Sequence, residues 1–274
     1  MLTTPPIVSD STEDWGHFYG LTEGGKTVPA HVIIGKNGRE RPPTLRDIKA
    51  ANLKHKPVTL PDGTDVHFIV KSVTSLFKLM AREGLRRFID TSLMLAQEQI
   101  PRGDLSDSQW QSEIKHKAGE KMRDAAQLGT RFHSFMEHPG RDPDQDLFAM
   151  VSSGRDSMDK LGLDITGREQ SFVCRDHLFG GTADVVFAPW GILDFKTRTG
   201  LNTYETDCMQ QAAYGVGIYG EGFLDHGIGY SLIASTTNPG EVLVHTWTTE
   251  DLCHAWDAFL GLLSIWRYKS NYRG

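Results

Sequence analysis

The run Gly180-Gly181-Thr182-Ala183-Asp184-Val185-Val186, followed shortly by Ile192-Leu193-Asp194-Phe195-Lys196, decides the reading of this chain. The first stretch alternates around Asp184 and is β-branched, Pro189-Trp190-Gly191 signals a turn, and the second stretch runs back from it, so the pair reads as a hairpin. Side chains alternate along a strand, so Asp194 and Lys196 share a face and Phe195 takes the other. A charge inside an apolar strand is costly to bury unless it is paired or binds a metal. Two carboxylates on neighbouring strands repel unless a cation lies between them. The simplest resolution is a divalent metal held by Asp184 and Asp194, with Lys196 aimed at an anionic substrate.

Two helical stretches extend the pattern. Upstream, Gly129-Thr130-Arg131-Phe132-His133-Ser134-Phe135-Met136-Glu137 places His133 and Glu137 at i and i+4, on one face. Downstream, Gln210-Gln211-Ala212-Ala213-Tyr214 does the same for Gln210 and Tyr214. A zinc-protease reading of His133 to His138 fails, because that chemistry needs two histidines at i and i+4 and here they are five apart.

With these residues in view, the chain resembles the RecB-like branch of the PD-(D/E)XK nuclease superfamily. That family's pattern is a Gly-x-x-x-His helix, a Gly-x-x-Asp strand, an Asp-x-Lys strand and a Gln-x-x-x-Tyr helix, and all four stand here in order. The strong part of the resemblance covers about residues 120 to 220. Arg41-Pro42-Pro43-Thr44-Leu45-Arg46-Asp47, Ser72-Val73-Thr74-Ser75 and Gly84-Leu85 are similar to exonucleases of tailed bacteriophages. The Ser-Val-Thr element also resembles that of the animal mitochondrial single-strand DNA exonuclease. The resemblance implies an α/β (α+β) fold with a restriction-endonuclease-like core, a mixed central sheet flanked by helices. It implies a Mg²⁺- or Mn²⁺-dependent DNA exonuclease with one or two ions, acting in phage replication or recombination. Metal would be held by His133, Asp184, Asp194 and the Phe195 carbonyl. Asp184, Asp194, Lys196, Gln210 and Tyr214 would be catalytic. Ser72, Thr74, Arg82, Arg86, Arg131 and Thr197 would contact nucleic acid, and Glu137 and Glu169 would stand behind the metal ligands. The implied partners are single-stranded or end-bearing duplex DNA and a recombination or replication protein. A structure-specific endonuclease or nickase, or a non-catalytic binder on the same fold, are the alternatives.

Composition bounds this reading. The 274 residues, 39% hydrophobic and 23% charged, suit a globular domain with an extension. No apolar run reaches membrane-spanning length and the N-terminus lacks a signal-peptide pattern, so the expected setting is the cytoplasm, that of the bacterial host if the chain is phage-encoded. Three scattered cysteines, Cys174, Cys208 and Cys253, are too few for a four-thiolate iron–sulfur cluster, and none is expected. The net charge of −6 argues against a broad, sequence-blind grip on duplex backbone. Basic residues nevertheless cluster at Lys78, Arg82, Arg86 and Arg87, and again at Lys115, Lys117, Lys121, Arg123 and Arg131.

Residues 1–70 are rich in Pro, Gly, Thr and charge and read as an N-terminal extension with short strands and little core. Residues 71–274 read as the nuclease domain, with a helical part at 71–162 and a catalytic sheet core at 120–274. Helices are expected at Ser72–Gln99, from Asp107 or Ser108 to Glu137 with a break, and at Leu147–Leu161, Glu205–Tyr219 and Thr249–Tyr268. Strands are expected at Glu169–Asp176, Thr182–Ala188, Gly191–Thr197, Gly227–Ala234 and Val242–Trp247. If the first helix and the basic stretch Lys115 to Arg131 packed over the cleft, they would make a covered, basic passage for one strand. Phe77, Phe88 and Trp110 would be available there to stack bases. Lys196 would orient or deprotonate the attacking water.

Overall fold

The computed structural model describes residues 17–80 and 83–272, with backbone alone at 83–85. Arg82 lies outside the described residues. In chain order the elements are β1 (Phe18–Leu21), β2 (Thr27–Pro29), β3 (Ile33–Ile34), β4 (Glu40–Arg41), α1 (Leu45–Lys54), β5 (Val58–Thr59), β6 (Asp65–Val66), β7 (Phe68–Ser72), α2 (Val73–Leu76) and a 3₁₀ turn (Phe77–Leu79). There follow α3 (Glu83–Gln99), α4 (Asp107–Ala118), α5 (Glu120–Glu137), α6 (Phe148–Leu161), β8 (Ile165–Cys174), β9 (Phe179–Phe187) and β10 (Gly191–Arg198). The chain closes with α7 (Glu205–Tyr219), α8 (Phe223–His226), β11 (Ile228–Ser235), β12 (Val242–Trp247) and α9 (Thr249–Lys269). Among the described residues no helix is long and apolar enough to cross a membrane.

The chain divides into two compact units. The first takes in Met1–Leu76, Ser171–Gly181 and Leu263–Gly274, as far as these are described; the second takes in Phe77–Gln170 and Thr182–Leu262. In the first unit β1 pairs antiparallel with β2 and β7, and β7 pairs parallel with the start of β9 through Lys71↔Phe179 and Ser72↔Gly180. Gly180 is there for closeness: a Cβ on it would stand 2.9 Å from Phe172 O and 3.0 Å from Val70 Cγ2. Helix α1 is tied to β7 by Asn52, whose amide donates to Ile69 O and accepts from Ile69 N, both at 2.7 Å. Phe18, Ile33, Ile48, Ala51, Val66 and Ile69 are almost fully buried. The early chain therefore contributes many buried residues to the core of this unit, where its composition predicted little.

In the second unit β10 is central. It pairs antiparallel with β9, parallel with β11 across the α7 crossover, and β11 pairs antiparallel with β12. The sheet is mixed, as expected. Strands β9 and β10 are buried on both faces, which is why they carry near-continuous apolar runs. Leu193 and Phe195 of β10 join Val185 and Phe187 of β9 in a core with Phe132, Phe135 and Met136 of α5 and Met150, Val151 and Met158 of α6. The Phe132 and Phe195 rings meet edge to face, 6.3 Å apart at 86°, a geometry worth about 1 kcal/mol beyond area burial. Helix α7 lies on the opposite face, that of Asp194 and Lys196, so helices flank both faces.

Two expected elements differ. The helix expected over Ser72–Gln99 is interrupted: Ser72 ends a strand and caps α2, accepting from Ser75 N at 3.2 Å, and a 3₁₀ turn follows. The strand expected from Glu169 begins at Ile165, four residues earlier. The polar run Arg168-Glu169-Gln170 hides its start, and Glu169 takes a left-handed backbone, φ 48°, in mid-strand. The break expected within Asp107–Glu137 falls at Gly119, β9 begins at Phe179, three residues before the expected Thr182, and the remaining boundaries of this unit agree within one to two residues.

Candidate active site

The register of β9 on β10 ends at Leu193↔Val185, one step before Asp194 would face Asp184. There the strands part, and Asp184 fills the gap with its side chain: Oδ2 accepts the Phe195 N–H at 2.7 Å. Asp194 Oδ1 accepts from Gln210 Nε2 of α7 at 2.7 Å, and Lys196 Nζ lies against Asp194 Oδ2. That contact is an ion pair between a buried carboxylate and a part-buried ammonium, Asp194 at 3% and Lys196 at 23% side-chain exposure. Lys196 Nζ also donates to Gln210 Oε1 at 3.2 Å. From α5, His133 Nδ1 comes to 3.4 Å from Asp184 Oδ2, and the imidazole bonds the Phe195 carbonyl. Glu169, an exposed residue, hydrogen-bonds Glu137 through its carboxyl. His133, Asp184, Asp194, Lys196 and Gln210 thus converge, with Glu137 and Glu169 at their margin. Tyr214, one turn beyond Gln210, is buried.

The site is crowded with acid. Burial first, and the Asp194 charge second, push Asp184 well above the usual carboxylate range. Burial, then Asp184 and Glu137, push Glu169 up to about 8. Burial lowers His133, so the imidazole is neutral at neutral pH. Burial alone would lower Lys196 as well, but Asp194 and Asp184 outweigh it and hold the pKa above its ordinary value. With both acids beside it, Lys196 is held as an ammonium in this arrangement.

Beside this cluster runs a groove of about 500 Å³ lined by α5 and β10, including Ala125, Ala126, Gly129, His133, Lys196 and Thr197. A Cβ on Gly129 would come within 3.2 Å of Thr197 Oγ1, so the glycine keeps space between α5 and β10 in the groove. The other nucleic-acid candidates fall elsewhere. Arg131 is spent on Asp144 (2.6 Å) and Asp146 (2.7 Å). Ser72 is buried and donates to Ser75 Oγ at 2.8 Å, a capping role that leaves no hydroxyl for phosphate. Thr74 and Arg86 are exposed, and neither lines the groove. Lys115, Lys117 and Lys121 line clefts beside α3 rather than this groove, so the covered basic passage is not what these residues build. Phe77 packs on Phe259 in the core, and Trp110 donates to Ile100 O at 3.0 Å.

Sequence reasoning missed the anchor of α7. Arg198 donates to Asp207 Oδ1 at 2.6 Å and lies 4.2 Å over the Tyr204 ring, while Asp207 Oδ2 accepts from Tyr204 N at 2.9 Å. It also missed the groove wall, although small residues at i, i+4 spacing (Ala125, Gly129; Ala126, Thr130, Ser134) were a readable signal.

A neutral imidazole, two carboxylates and a carbonyl are the donor types a hard divalent ion takes, and the mutual repulsion of the acids fits a cation between them. As arranged here, Asp194 is held by Lys196 and Gln210 instead. Among the described residues no three His, Cys, Asp or Glu side chains are grouped at metal-holding spacing. Comparison with protein-family models and with curated proteins finds no match.

Proposed function

We propose that the chain is a metal-dependent deoxyribonuclease of the PD-(D/E)XK type that hydrolyses phosphodiester bonds from free DNA ends. The observation that carries this reading is the convergence of His133, Asp184, Asp194, Lys196 and Gln210 where β9 and β10 part, beside an open groove. Two acids from adjacent strands, a lysine two residues on and a glutamine from the crossover helix are what phosphodiester hydrolysis asks for: ligands for a cation, a fixed positive charge and a positioning amide. His133, Asp184, Asp194 and the Phe195 carbonyl would hold Mg²⁺ or Mn²⁺, which supplies a more acidic water and charge relief at the leaving oxygen. Lys196, protonated, offsets charge on the scissile phosphate rather than taking a proton. Gln210 holds Asp194 and Lys196 in register. His133, kept neutral by burial, stays available as a donor of its nitrogen lone pair.

End dependence is supported by the likeness to phage exonucleases. The endonuclease alternative draws support from the groove, whose lining comes from α5 and β10 without a cover from α3 or α4. The deciding assay uses end-labelled linear DNA, single- and double-stranded, beside a covalently closed single-stranded circle, each with Mg²⁺, Mn²⁺ or EDTA. Metal-dependent loss of the linear substrates with the circle intact is expected. Cutting of the circle at the linear rate would replace the exonuclease reading with the endonuclease one. No hydrolysis of either would leave a non-catalytic binder.

A further inference from the structure

The last carbonyls of α5 meet two arginines from later in the chain. Arg155 of α6 donates through Nη2 to Phe135 O at 2.8 Å, His138 O at 3.2 Å and Arg141 O at 2.8 Å. Arg168 of β8 donates through Nη1 to Met136 O at 3.1 Å. Phe135 and Met136 are consecutive, so the two guanidiniums dock on carbonyls one peptide apart. Ion pairs with acids occupy Arg41, Arg102, Arg131 and Arg198, whereas Arg155 and Arg168 form none among the described residues. The C-terminus of a helix offers about half an elementary negative charge, against two full positive ones. Burial lowers the Arg168 pKa with no acid opposing it.

The donors are also underused. A guanidinium carries five N–H groups. Arg155 spends only Nη2, and its Nε is buried without a partner. Both side chains line a cavity of about 360 Å³ whose other walls include Met136, Met158, Leu163 and Ile165, with Asp159 as the one acid in the lining. Guanidiniums with spare donors are the groups that take up the oxygens of a phosphate. The apolar wall and the volume leave room for a sugar or base beside it.

We propose that this cavity, at the junction of α5, α6 and β8, is a second binding site, for the phosphate of a phosphomonoester. A nucleoside monophosphate is the occupant that suits both the cations and the apolar wall. It is also the product an exonuclease releases, a point that rests on the function proposed above. The site itself does not rest on that reading.

The test is calorimetric titration of the full chain in EDTA with a deoxynucleoside monophosphate and, separately, with inorganic phosphate. Saturable binding is expected, weakened roughly ten- to a hundredfold in Arg168→Gln, where one charged fork is lost. It should persist in Asp194→Asn, which disturbs only the candidate active site. Leu163→Trp, which fills the cavity and keeps both guanidiniums, should also abolish it and covers the case of a poorly folded Arg168 variant. Tighter binding of the nucleotide assigns the apolar wall to it; equal binding assigns the site to phosphate alone. No binding, binding indifferent to Arg168→Gln and Leu163→Trp, or binding lost in Asp194→Asn would overturn the proposal whether or not the protein cuts DNA.

Discussion

Replacing Asp207 by alanine should cost more than any exposed ion pair would suggest. Its carboxylate does two jobs while only 3% exposed: one oxygen takes Arg198, itself 12% exposed, and the other caps the first turn of α7 through Tyr204 N. Removing one partner of a buried pair strands the other charge, at a cost of about 3–5 kcal/mol. A lost helix cap alone costs about 1 kcal/mol. Both losses come from one side chain and overlap, so a total of roughly 4 kcal/mol is expected. At about 2–4 °C per kcal/mol for a chain of this size, the thermal midpoint should fall by roughly 10 °C. The double variant Asp207→Leu/Arg198→Leu should recover most of that loss, since no charge is then left buried. Thermal unfolding followed by circular dichroism measures both. Because Gln210 stands one turn further along α7, the single variant should also slow catalysis. A midpoint for Asp207→Ala within about 2 °C of the parent, or a double variant worse than the single, would refute the account of how α7 is anchored.

Lys196→Ala should lower DNA hydrolysis by about a hundredfold or more, through loss of a preorganised charge; a wild-type rate in folded protein would remove Lys196 from the mechanism. Glu169→Gly should stabilise the fold by up to about 1 kcal/mol relative to Glu169→Ala, because only glycine relieves the φ of 48° without strain. Chemical denaturation reads the difference, and equal stability of the two variants would contradict it. Gly129→Val should raise the KM for DNA more than it lowers kcat, by crowding Thr197 across the groove, and steady-state kinetics separates the two. Asp47, held by Arg41 at 2.7 and 2.9 Å and by Thr44 at 2.8 Å, has its carboxyl drawn down from 3.8 to about 2. Burial opposes that shift and the Arg41 and Thr44 bonds outweigh it. A depressed acid stabilises above its unfolded pKa, so its contribution is complete above pH 4 and lost as pH falls toward 2. Discounted for the exposure of Arg41, it is worth about 1 kcal/mol. The stability gap between parent and Asp47→Asn should close over that interval; a constant gap would contradict the assignment.

The site was legible in the sequence to the extent that it is local. Asp184, Asp194 and Lys196 sit on two strands joined by a short turn, so alternation alone brings them together. His133 and Gln210 came from helical spacing and a family likeness. What alternation cannot show is where a ladder stops. The parting of β9 from β10 at Asp184 depends on that side chain capturing the Phe195 N–H. The core of the first unit was hidden for a different reason. It is assembled from residues before 77, around 175 and after 262, and no local window sees that sum. The sequence could not decide the use of Ser72 and Arg131, because a residue type that binds phosphate also caps helices and pairs acids. Only the partners found in the fold, Ser75 for one and Asp144 and Asp146 for the other, decide between those uses.

The contact of Lys196 with Asp194 makes the chain its own counter-ion. Many small metallo-domains fold only when loaded, and chelators denature them. Here an ammonium and an amide already quiet the acid that a cation would otherwise have to neutralise. Folding and loading are thereby uncoupled. On the metal-dependent function proposed above, the polypeptide could then be made, stored and turned over independently of divalent supply, and scarcity of the ion would silence it without destroying it. Restoring the ion should then bring back function from a standing pool, with no new synthesis and no refolding.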